Sequence, residues 1–498
     1  MDQESTLAIS TSPALAGLSD DAVAVVAGAA RRRTLEAGEV LFAAGSDPDG
    51  MVVIDRGRLG LMGDDEEIVA TMGRGDVVGE IGAITGRPRT GTVIALRDTS
   101  LLEIRQSDFD TMFDAHPDVG RSLTRLVVGR LVDGSDEHRA IPTTVAVATI
   151  GPDDTDQLIK ALDRLAESAV VVTADLAERR TEADLLARLE MLENDNELVV
   201  LLAGSAEHRD GWFDRCLRQA DATLVAVTEP LRPVPDAARD LGERLQQLRS
   251  VVELVVVDPP DAEIGVDASG WIDATRPHRV HHVRRGEAAS ADRCARLVLG
   301  QGTALIFSGG AARGLAHLGA WRAITELGID VDATAGVSLG SLLAAGVAID
   351  LPPDELTEQV RERLVAERGL VDFTFPWVAL LRGEGVSRRL REVGRGWSFE
   401  QTWRPFLCTS CDLTTGEIVE HRRGPLWEAV RASVSIPGIL PPVRSGDRLL
   451  VDGAVRDNLP IATLRAAHPT PMRVIAIDVG KDGRFTAGDT PDGGHVSG

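Results

Sequence analysis

A serine between two glycines is the first feature of this sequence that could carry out chemistry. Gly336, Ser338 and Gly340 form a Gly-x-Ser-x-Gly pattern that follows a predicted strand and precedes the apolar, helical run 342–349. Two glycines permit a tight turn from a strand into a helix, and such a turn presents the serine hydroxyl at the helix start. An inert serine in a glycine-rich turn is the alternative. Because the strand and helix patterns are both present, the spacing favours a nucleophilic Ser338.

A nucleophilic serine needs a base, and Asp452 is the candidate. It ends the apolar stretch 449–451 and is followed by Gly453 and Ala454. A carboxylate there can take the serine proton directly if the fold brings the two groups within hydrogen-bond reach. An ordinary Asp-Gly turn is the alternative for this segment alone. His468 and His317 are rival bases, but one precedes a proline at a predicted helix end and the other fits a packing role.

A third chemical feature is the small-residue loop after the predicted strand 304–307. The loop contains Gly309, Gly310, Ala311, Arg313 and Gly314 and leads into an apolar helix. Small residues let backbone N–H groups approach a ligand, and the helix start adds partial positive charge. By itself this loop could bind a phosphate or hold an oxyanion.

A separate carboxylate and arginine stand near the N-terminal end of the chain. Gly79 and Glu80 begin a short helical turn, and Arg89 and Thr90 follow it. A buried Glu can accept a proton from a ribose hydroxyl, while a fixed Arg pairs with a phosphate. The pattern therefore fits a cyclic nucleotide. The alternative is a segment that keeps the fold and binds nothing.

The composition of the chain limits the classes of molecule that it can bind. The 498 residues carry 53 Lys and Arg against 77 Asp and Glu, a net charge of −24. Such a surface repels nucleic acid and anionic headgroups at long range, so any membrane contact must be local and apolar. Four cysteines do not make a disulfide framework. With a polar start and no uninterrupted apolar run, the chain is expected to have no signal peptide or transmembrane segment and to be cytoplasmic, with peripheral membrane contact as an option.

The elements that position these residues fall into three patterns. Short strands with Gly/Asp turns over about 34–104 indicate a small β-barrel or roll, flanked by helices at 20–30 and 108–131. Alternating apolar strands and helices from residue 145 indicate a parallel α/β sheet, and a third α/β block follows. The predicted boundaries are 1–137, 144–290 and 302–480, with a disordered tail at 481–498. The middle domain lacks the Gly-Lys-Ser/Thr of a phosphate-binding loop, so it is predicted to be a Rossmann-like structural module.

Three features follow one another in the last block: the glycine loop at 309–314, the Gly-x-Ser-x-Gly turn at Ser338 and the Asp-Gly-Ala segment at Asp452. In this order they resemble the patatin-like phospholipases, specifically bacterial relatives of neuropathy target esterase. The resemblance covers about residues 303–479. It implies a patatin-like α/β hydrolase domain in which a Ser338–Asp452 dyad hydrolyses acyl esters of phospholipids or lysophospholipids without a catalytic cofactor. It also implies an oxyanion hole of backbone N–H groups near a set of loop residues: Gly309, Gly310, Arg313 and Gly314.

The first block resembles cyclic-nucleotide-binding domains over about residues 14–133. The resemblance implies a β-roll in which Glu80 binds the ribose and Arg89 the phosphate of cAMP or cGMP, a possible regulatory ligand. Gly79 and Thr90 would line the pocket. A DNA-binding regulator is disfavoured, because an acidic α/β domain follows instead of a basic recognition helix.

Two departures from the patatin pattern support an alternative function. Ala311 stands where the family has a glycine, and alanine is strained if that position needs a positive φ. The chain also turns into a glycine-rich tail where relatives continue in a helical stretch. A nucleotide-sensing scaffold with an impaired hydrolase is therefore the alternative.

Two smaller features complete the predictions. Residues 373–381 concentrate Phe373, Phe375 and Trp377 in a chain with only 3% aromatics, and are predicted to touch the bilayer or, equally, to fill a core. Cys408 and Cys411 lack a second ligand pair, so no metal site is predicted. The sequence leaves the oligomeric state open.

Overall fold

A computed structural model describes residues 9, 12, 15, 19–63, 68–133, 141–152, 154–178, 181–229, 233–366, 372–374, 379–394 and 396–480. The chain divides into two compact units, residues 1–302 with 465–473 and residues 303–464 with 474–498. The predicted tail at 481–498 lies outside the described residues. The predicted domain boundaries stay predictions.

The first unit begins with a β-roll of two four-stranded sheets. The antiparallel orders are β1-β8-β3-β6 and β2-β7-β4-β5. Apolar side chains of both sheets fill the space between them. The strands and helices are α1 (Asp20–Ala29), β1 (Arg31–Leu35), β2 (Val40–Phe42), β3 (Gly50–Arg56), β4 (Leu59–Met62), β5 (Ile68–Met72), β6 (Val77–Val78), α2 (Glu80–Thr85), β7 (Thr92–Ala95), β8 (Thr99–Arg105), α3 (Gln106–Ala115) and α4 (Pro117–Asp133).

The helix predicted over 108–131 is two helices, α3 and α4. They part at His116, directly before Pro117. A proline has no backbone N–H to donate and disfavours helical backbone in the residue before it, so a new helix begins there.

The same unit continues into a six-stranded parallel sheet of order β10-β11-β9-β12-β13-β14. Five of its strands, β9 to β13, are rich in Val, Leu and Ala, and helices cover both faces of the sheet, as parallel sheets require. The elements are β9 (Thr144–Ile150), α5 (Asp156–Leu165), β10 (Ala169–Val172), α6 (Glu182–Asp195), β11 (Leu198–Ser205), α7 (Gly211–Gln219), β12 (Ala222–Val227), α8 (Asp236–Gln247), β13 (Val251–Asp258), α9 (Ser269–Thr275), β14 (Arg279–Arg284) and α10 (Ala288–Val298).

The second unit is built on a mixed sheet of order β19-β20-β17-β16-β15-β21, with β18 paired to β17. β15, β16 and β17 run parallel, and β18 and β20 run antiparallel to β17. The elements are β15 (Thr303–Phe307), α11 (Ala316–Glu326), β16 (Ala333–Val337), α12 (Leu339–Ala348), α13 (Pro353–Val360), α14 (Glu384–Val393), β17 (Phe406–Asp412), β18 (Ile418–His421), α15 (Leu426–Ser433), β19 (Val443–Ser445), β20 (Arg448–Asp452), α16 (Ile461–Ala467) and β21 (Arg473–Ile477).

The architecture confirms the predicted fold class, a multidomain α/β chain with an all-β part. A β-roll is followed by a parallel α/β sheet and then by a further α/β domain. In the part of the chain that the structure describes, no helix is both long and apolar enough to cross a bilayer.

Candidate active site

Ser338 occupies the sharp turn between β16 and α12. Its backbone has φ 56° and ψ −133°, a strained conformation for a residue with a side chain. Gly336 and Gly340 must be glycines because backbone atoms of other residues lie too close to leave room for a Cβ. A Cβ on Gly336 would stand 2.4 Å from the carbonyl oxygen of Gly340, and one on Gly340 would stand 2.4 Å from that of Phe307. The Gly-x-Ser-x-Gly spacing therefore folds as the expected strand-to-helix turn.

The turn brings Ser338 to Asp452, which lies 114 positions further along the chain. The Ser338 hydroxyl donates a hydrogen bond to Asp452 Oδ2 at 2.6 Å. β17 holds the two together, because Val337 pairs with Thr409 on one side and Asp452 with Ser410 on the other. Both side chains are buried. A carboxylate so placed can accept the serine proton.

The surroundings of Asp452 favour its protonated form. Burial raises the pKa of its carboxyl above the usual range, and hydrogen bonds from the Ser338 hydroxyl and the Ala454 N–H only partly oppose this. A carboxylate with a raised pKa is a stronger base than a solvated one. The site therefore places the Ser338 hydroxyl beside a carboxylate whose protonated form is favoured by burial.

The loop 309–314 lies against Ser338. A Cβ on Gly309 would stand 3.2 Å from the Cβ of Ser338. The Gly309 N–H donates to the Asn458 carbonyl at 3.3 Å, and the Asn458 amide donates back to the Gly309 carbonyl at 3.2 Å. Because the N–H groups of Gly309 and Arg313 are engaged, Gly310 and Gly314 are the remaining predicted oxyanion donors. The Arg313 N–H donates to the Gly310 carbonyl at 3.0 Å and closes the turn between them.

Ala311, which stands where a glycine was expected, has a left-handed backbone conformation, and this conformation is costly for alanine. Its φ is 45°. Left-handed backbone costs an alanine about 1–2 kcal/mol relative to right-handed backbone. The loop that carries the predicted oxyanion donors is therefore strained at this position.

Ser433, at the end of α15, is a part of the site that the sequence pattern does not predict. Its hydroxyl accepts the backbone N–H of Ser338 at 2.9 Å and donates to the Thr409 carbonyl at 2.7 Å. The sequence around Ser433 gives no sign of this contact, because Ser433 and Ser338 are 95 positions apart. The contact of Asn458 with Gly309 has no sequence signal for the same reason, because the two residues are 149 positions apart.

His317, Cys408 and Cys411 of the second unit are buried side chains packed within the domain. His317 Nε2 lies 2.9 Å from the Ser308 carbonyl, its ring stacks on Phe307, and burial lowers the pKa of the imidazole. Cys408 and Cys411 are buried free thiols in β17. Among the described residues, no group of three or more His, Cys, Asp and Glu side chains is placed to hold a metal ion.

In the β-roll, Gly79 and Glu80 start helix α2, and the Arg89 side chain lies beside them. Glu80 is buried. Gly79 has φ +88°, and a Cβ there would stand 2.6 Å from Arg89 Nη1. Only glycine therefore lets the arginine approach the helix start. Thr90 is exposed next to it.

The Arg89 guanidinium is held from several sides. It donates to the carbonyls of Gly79 at 2.9 Å and Gly50 at 2.8 Å, and it stacks over the ring of Phe42. Its charge is paired with Asp49 at 2.6 Å. The Arg89 side chain is 4% exposed, whereas that of Asp49 is 69% exposed. A rigid, nearly buried cation with one solvent-accessible anionic partner is suited to binding a phosphate.

The segment predicted to touch a membrane is described only in part. Phe373 is 74% exposed and Leu380 is 48% exposed. Phe375 and Trp377 lie outside the described residues.

Comparison with known proteins identifies two families along the chain. Residues 305–465 match the patatin-like phospholipase family, and residues 32–116 match the cyclic nucleotide-binding domain family. An "Uncharacterized NTE family protein" of Mycobacterium tuberculosis is 30% identical over 94% of this chain and 79% of its own length.

More distant relatives are longer than this chain. "Patatin-like phospholipase domain-containing protein 6" of Pongo abelii and "Lysophospholipase NTE1" of Cryptococcus neoformans are each 27% identical over 90% of this chain, which spans 37% and 32% of their lengths. The mycobacterial relative matches almost the whole chain, through the β-roll, the parallel sheet and the Ser338 domain. This chain belongs to the NTE family of patatin-like phospholipases and carries a cyclic nucleotide-binding domain ahead of the hydrolase domain.

Proposed function

We propose that this protein hydrolyses acyl esters of phospholipids or lysophospholipids with a Ser338–Asp452 dyad. The supporting observation is the 2.6 Å hydrogen bond from the Ser338 hydroxyl to the buried Asp452 carboxylate. The fungal relative named a lysophospholipase supports the substrate class.

The proposed reaction has two halves, acylation and deacylation of Ser338. Ser338 Oγ attacks the ester carbonyl while Asp452 takes its proton, and the N–H groups of the glycine loop stabilise the oxyanion. The tetrahedral intermediate collapses, the C–O bond to the lipid alcohol breaks, and Asp452 returns the proton to that alcohol. Water then gives a proton to Asp452 and attacks the acyl-enzyme carbonyl. The bond from that carbon to Ser338 Oγ breaks, Asp452 returns the proton to Oγ, and the fatty acid is released.

The test is release of fatty acid from lysophosphatidylcholine by the purified full chain. Ser338→Ala should abolish turnover, while Ser445→Ala, at an exposed serine of the same unit, should leave it unchanged. Activity retained by Ser338→Ala would contradict the dyad.

We also propose that the β-roll binds cAMP or cGMP and that this ligand regulates hydrolysis. Arg89 would pair with the phosphate in place of Asp49, and Glu80 would accept a hydrogen bond from the ribose. Ester hydrolysis measured with and without saturating cAMP tests the regulation. A rate that does not change would dismiss it.

Ala311 supports a second candidate, a nucleotide-sensing scaffold with an impaired hydrolase. Its φ of 45° strains the loop that would hold the oxyanion. Saturable cAMP binding without turnover of any ester would select this function, and turnover gained by Ala311→Gly would then identify the loop as the impaired part.

We propose further that the exposed apolar side chains of Phe373 and Leu380 contact a lipid surface during hydrolysis. The net charge of −24 favours zwitterionic over anionic lipid for this contact. Phe373→Ala should reduce co-sedimentation with phosphatidylcholine vesicles. Equal co-sedimentation by wild type and variant would remove the membrane contact.

A further inference from the structure

An apolar pocket lies among helices α12, α13, α14 and α15 of the second unit. The pocket is partly open to solvent, and its empty space, counted together with that open part, is about 690 Å³. The polar members of its lining are Gln359, Arg363 and Arg389, and the rest are aliphatic, indole or glycine. A pocket with so few polar groups suits a ligand that needs no hydrogen bonds along most of its length.

One wall of the pocket is the helix that starts at the nucleophile. Leu342, Ala345 and Ile349 line it and stand 4, 7 and 11 positions after Ser338. This spacing places them on one face of α12 and of its C-terminal cap, Ile349, in a stripe that starts near Ser338. With a rise of about 1.5 Å per residue, the stripe starts about 6 Å from Ser338 and runs about 10 Å further.

The opposite wall, α15, ends at the same place. Leu426 and Val430 line the pocket, and Ser433 follows on the same face of the helix. The Ser433 hydroxyl accepts the N–H of Ser338 at 2.9 Å. The start of one wall and the end of the other therefore meet at Ser338.

We infer that this pocket holds the acyl chain of the ester that Ser338 attacks. The inference rests on the proposed function, and it adds where the chain lies and what limits its length. A peptide or sugar would bring polar groups that this lining cannot satisfy, whereas each buried methylene strengthens binding by about fourfold. The walls end near Ile349, so activity should rise with chain length until the pocket is filled.

The experiment compares p-nitrophenyl butyrate with p-nitrophenyl decanoate. Ala345→Phe fills the middle of the pocket and should lower the decanoate-to-butyrate ratio of kcat/KM by at least about tenfold. Ile349→Trp, at a half-buried position, narrows only the far end and should lower the ratio less. Ala323→Phe, at an exposed position of α11, is the matched control and should leave the ratio unchanged.

Binding of decanoate to the full-length chain, followed by tryptophan fluorescence, separates the two proposals, because Trp397 and Trp427 line the pocket. If neither ester is hydrolysed but Ala345→Phe abolishes saturable decanoate binding, the proposed function fails and the pocket assignment stands. If both esters are hydrolysed and Ala345→Phe changes neither the ratio nor decanoate binding, the pocket assignment is overturned. Absence of saturable binding and of a chain-length preference in wild type would overturn it as well.

Discussion

The backbone N–H of Ser338 is held by the hydroxyl of Ser433. The contact is 2.9 Å long, and the same hydroxyl donates to the Thr409 carbonyl on β17. Ser338 has a backbone conformation that costs about 1–3 kcal/mol and persists only when its surroundings fix it. Ser433 supplies part of that fixation without touching the reacting hydroxyl, so it is a positioning residue.

Ser433→Ala should therefore lower kcat about tenfold or more with little change in KM. The substitution leaves a buried N–H and a buried C=O without this partner, which costs about 1–3 kcal/mol. Steady-state kinetics on a short p-nitrophenyl ester and urea unfolding measure the two effects. The exposed Ser445→Ala is the control. An unchanged kcat beside a loss of stability would show that Ser433 supports only the fold.

The pH dependence of hydrolysis should report the surroundings of Asp452. Burial raises the pKa of this carboxyl above its ordinary 3.8. A general base works only when deprotonated, so kcat/KM should fall on the acid side at a higher pH than for a solvated aspartate. Full activity down to pH 4 would contradict this role.

Asp452→Asn tests a second consequence of the raised pKa, the effect of this carboxyl on the stability of the fold. The Asp452 carboxyl binds its proton more tightly in the folded state than in the unfolded chain, because its pKa is raised on folding. The carboxyl therefore destabilises the fold increasingly as the pH rises above 3.8. Asp452→Asn should therefore abolish turnover without lowering the melting temperature at pH 7. Asp447→Asn, at an exposed position, is the control for both measurements.

The sequence predicts the local part of this site and misses the part made by distant contacts. The turn at Ser338 follows from two glycines between a strand and a helix. The roles of Ser433 and Asn458 depend on side chains that meet the site only after the sheet has formed. A pattern read along the chain contains no signal for either contact.

The residues of strand β14 give no sequence signal for a buried strand, for a related reason. Arg279, His281 and His282 do not resemble the residues of a buried strand, yet all three are buried. The carboxylate of Glu253 on β13 pairs with Arg279 and His281, and Asp258 pairs with His282. Neighbouring-strand partners make this charged segment compatible with the interior, and those partners stand more than 20 residues away.

Cyclic nucleotide binding should depend on the shape of Arg89 as well as on its charge. Arg89→Lys keeps the charge but loses the planar group that bridges Gly79, Gly50 and Asp49. We expect cAMP affinity, measured by isothermal titration calorimetry, to fall at least tenfold. Arg87→Lys, at an exposed position of the same loop, should keep the wild-type affinity. Equal affinity in the two variants would contradict a phosphate contact at Arg89.

Asp221 joins the β-roll to the parallel sheet within the first unit. Its Oδ1 lies 2.9 Å from Arg97 Nε and 3.5 Å from Arg58 Nε, and its Oδ2 accepts the N–H groups of Thr143 and Thr144. All three charged side chains are at most 6% exposed. Burial opposes ionisation, but the two arginines and the backbone donors outweigh it and hold the pKa of Asp221 below its ordinary value.

Asp221→Asn should lower the free energy of unfolding by about 3–5 kcal/mol at pH 7, because two buried guanidinium groups lose their carboxylate. Since the folded pKa is depressed, this stabilisation is present above pH 3.8 and is lost as the pH falls further. Urea unfolding at pH 7 and at successive acid pH values should show the gap between wild type and variant closing below pH 3.8. Asp240→Asn, which removes a solvent-exposed pair with Arg209, should cost at most about 1 kcal/mol. A loss no larger for Asp221→Asn than for Asp240→Asn would mean that the arginines find other partners, and the link between roll and sheet would not depend on this carboxylate.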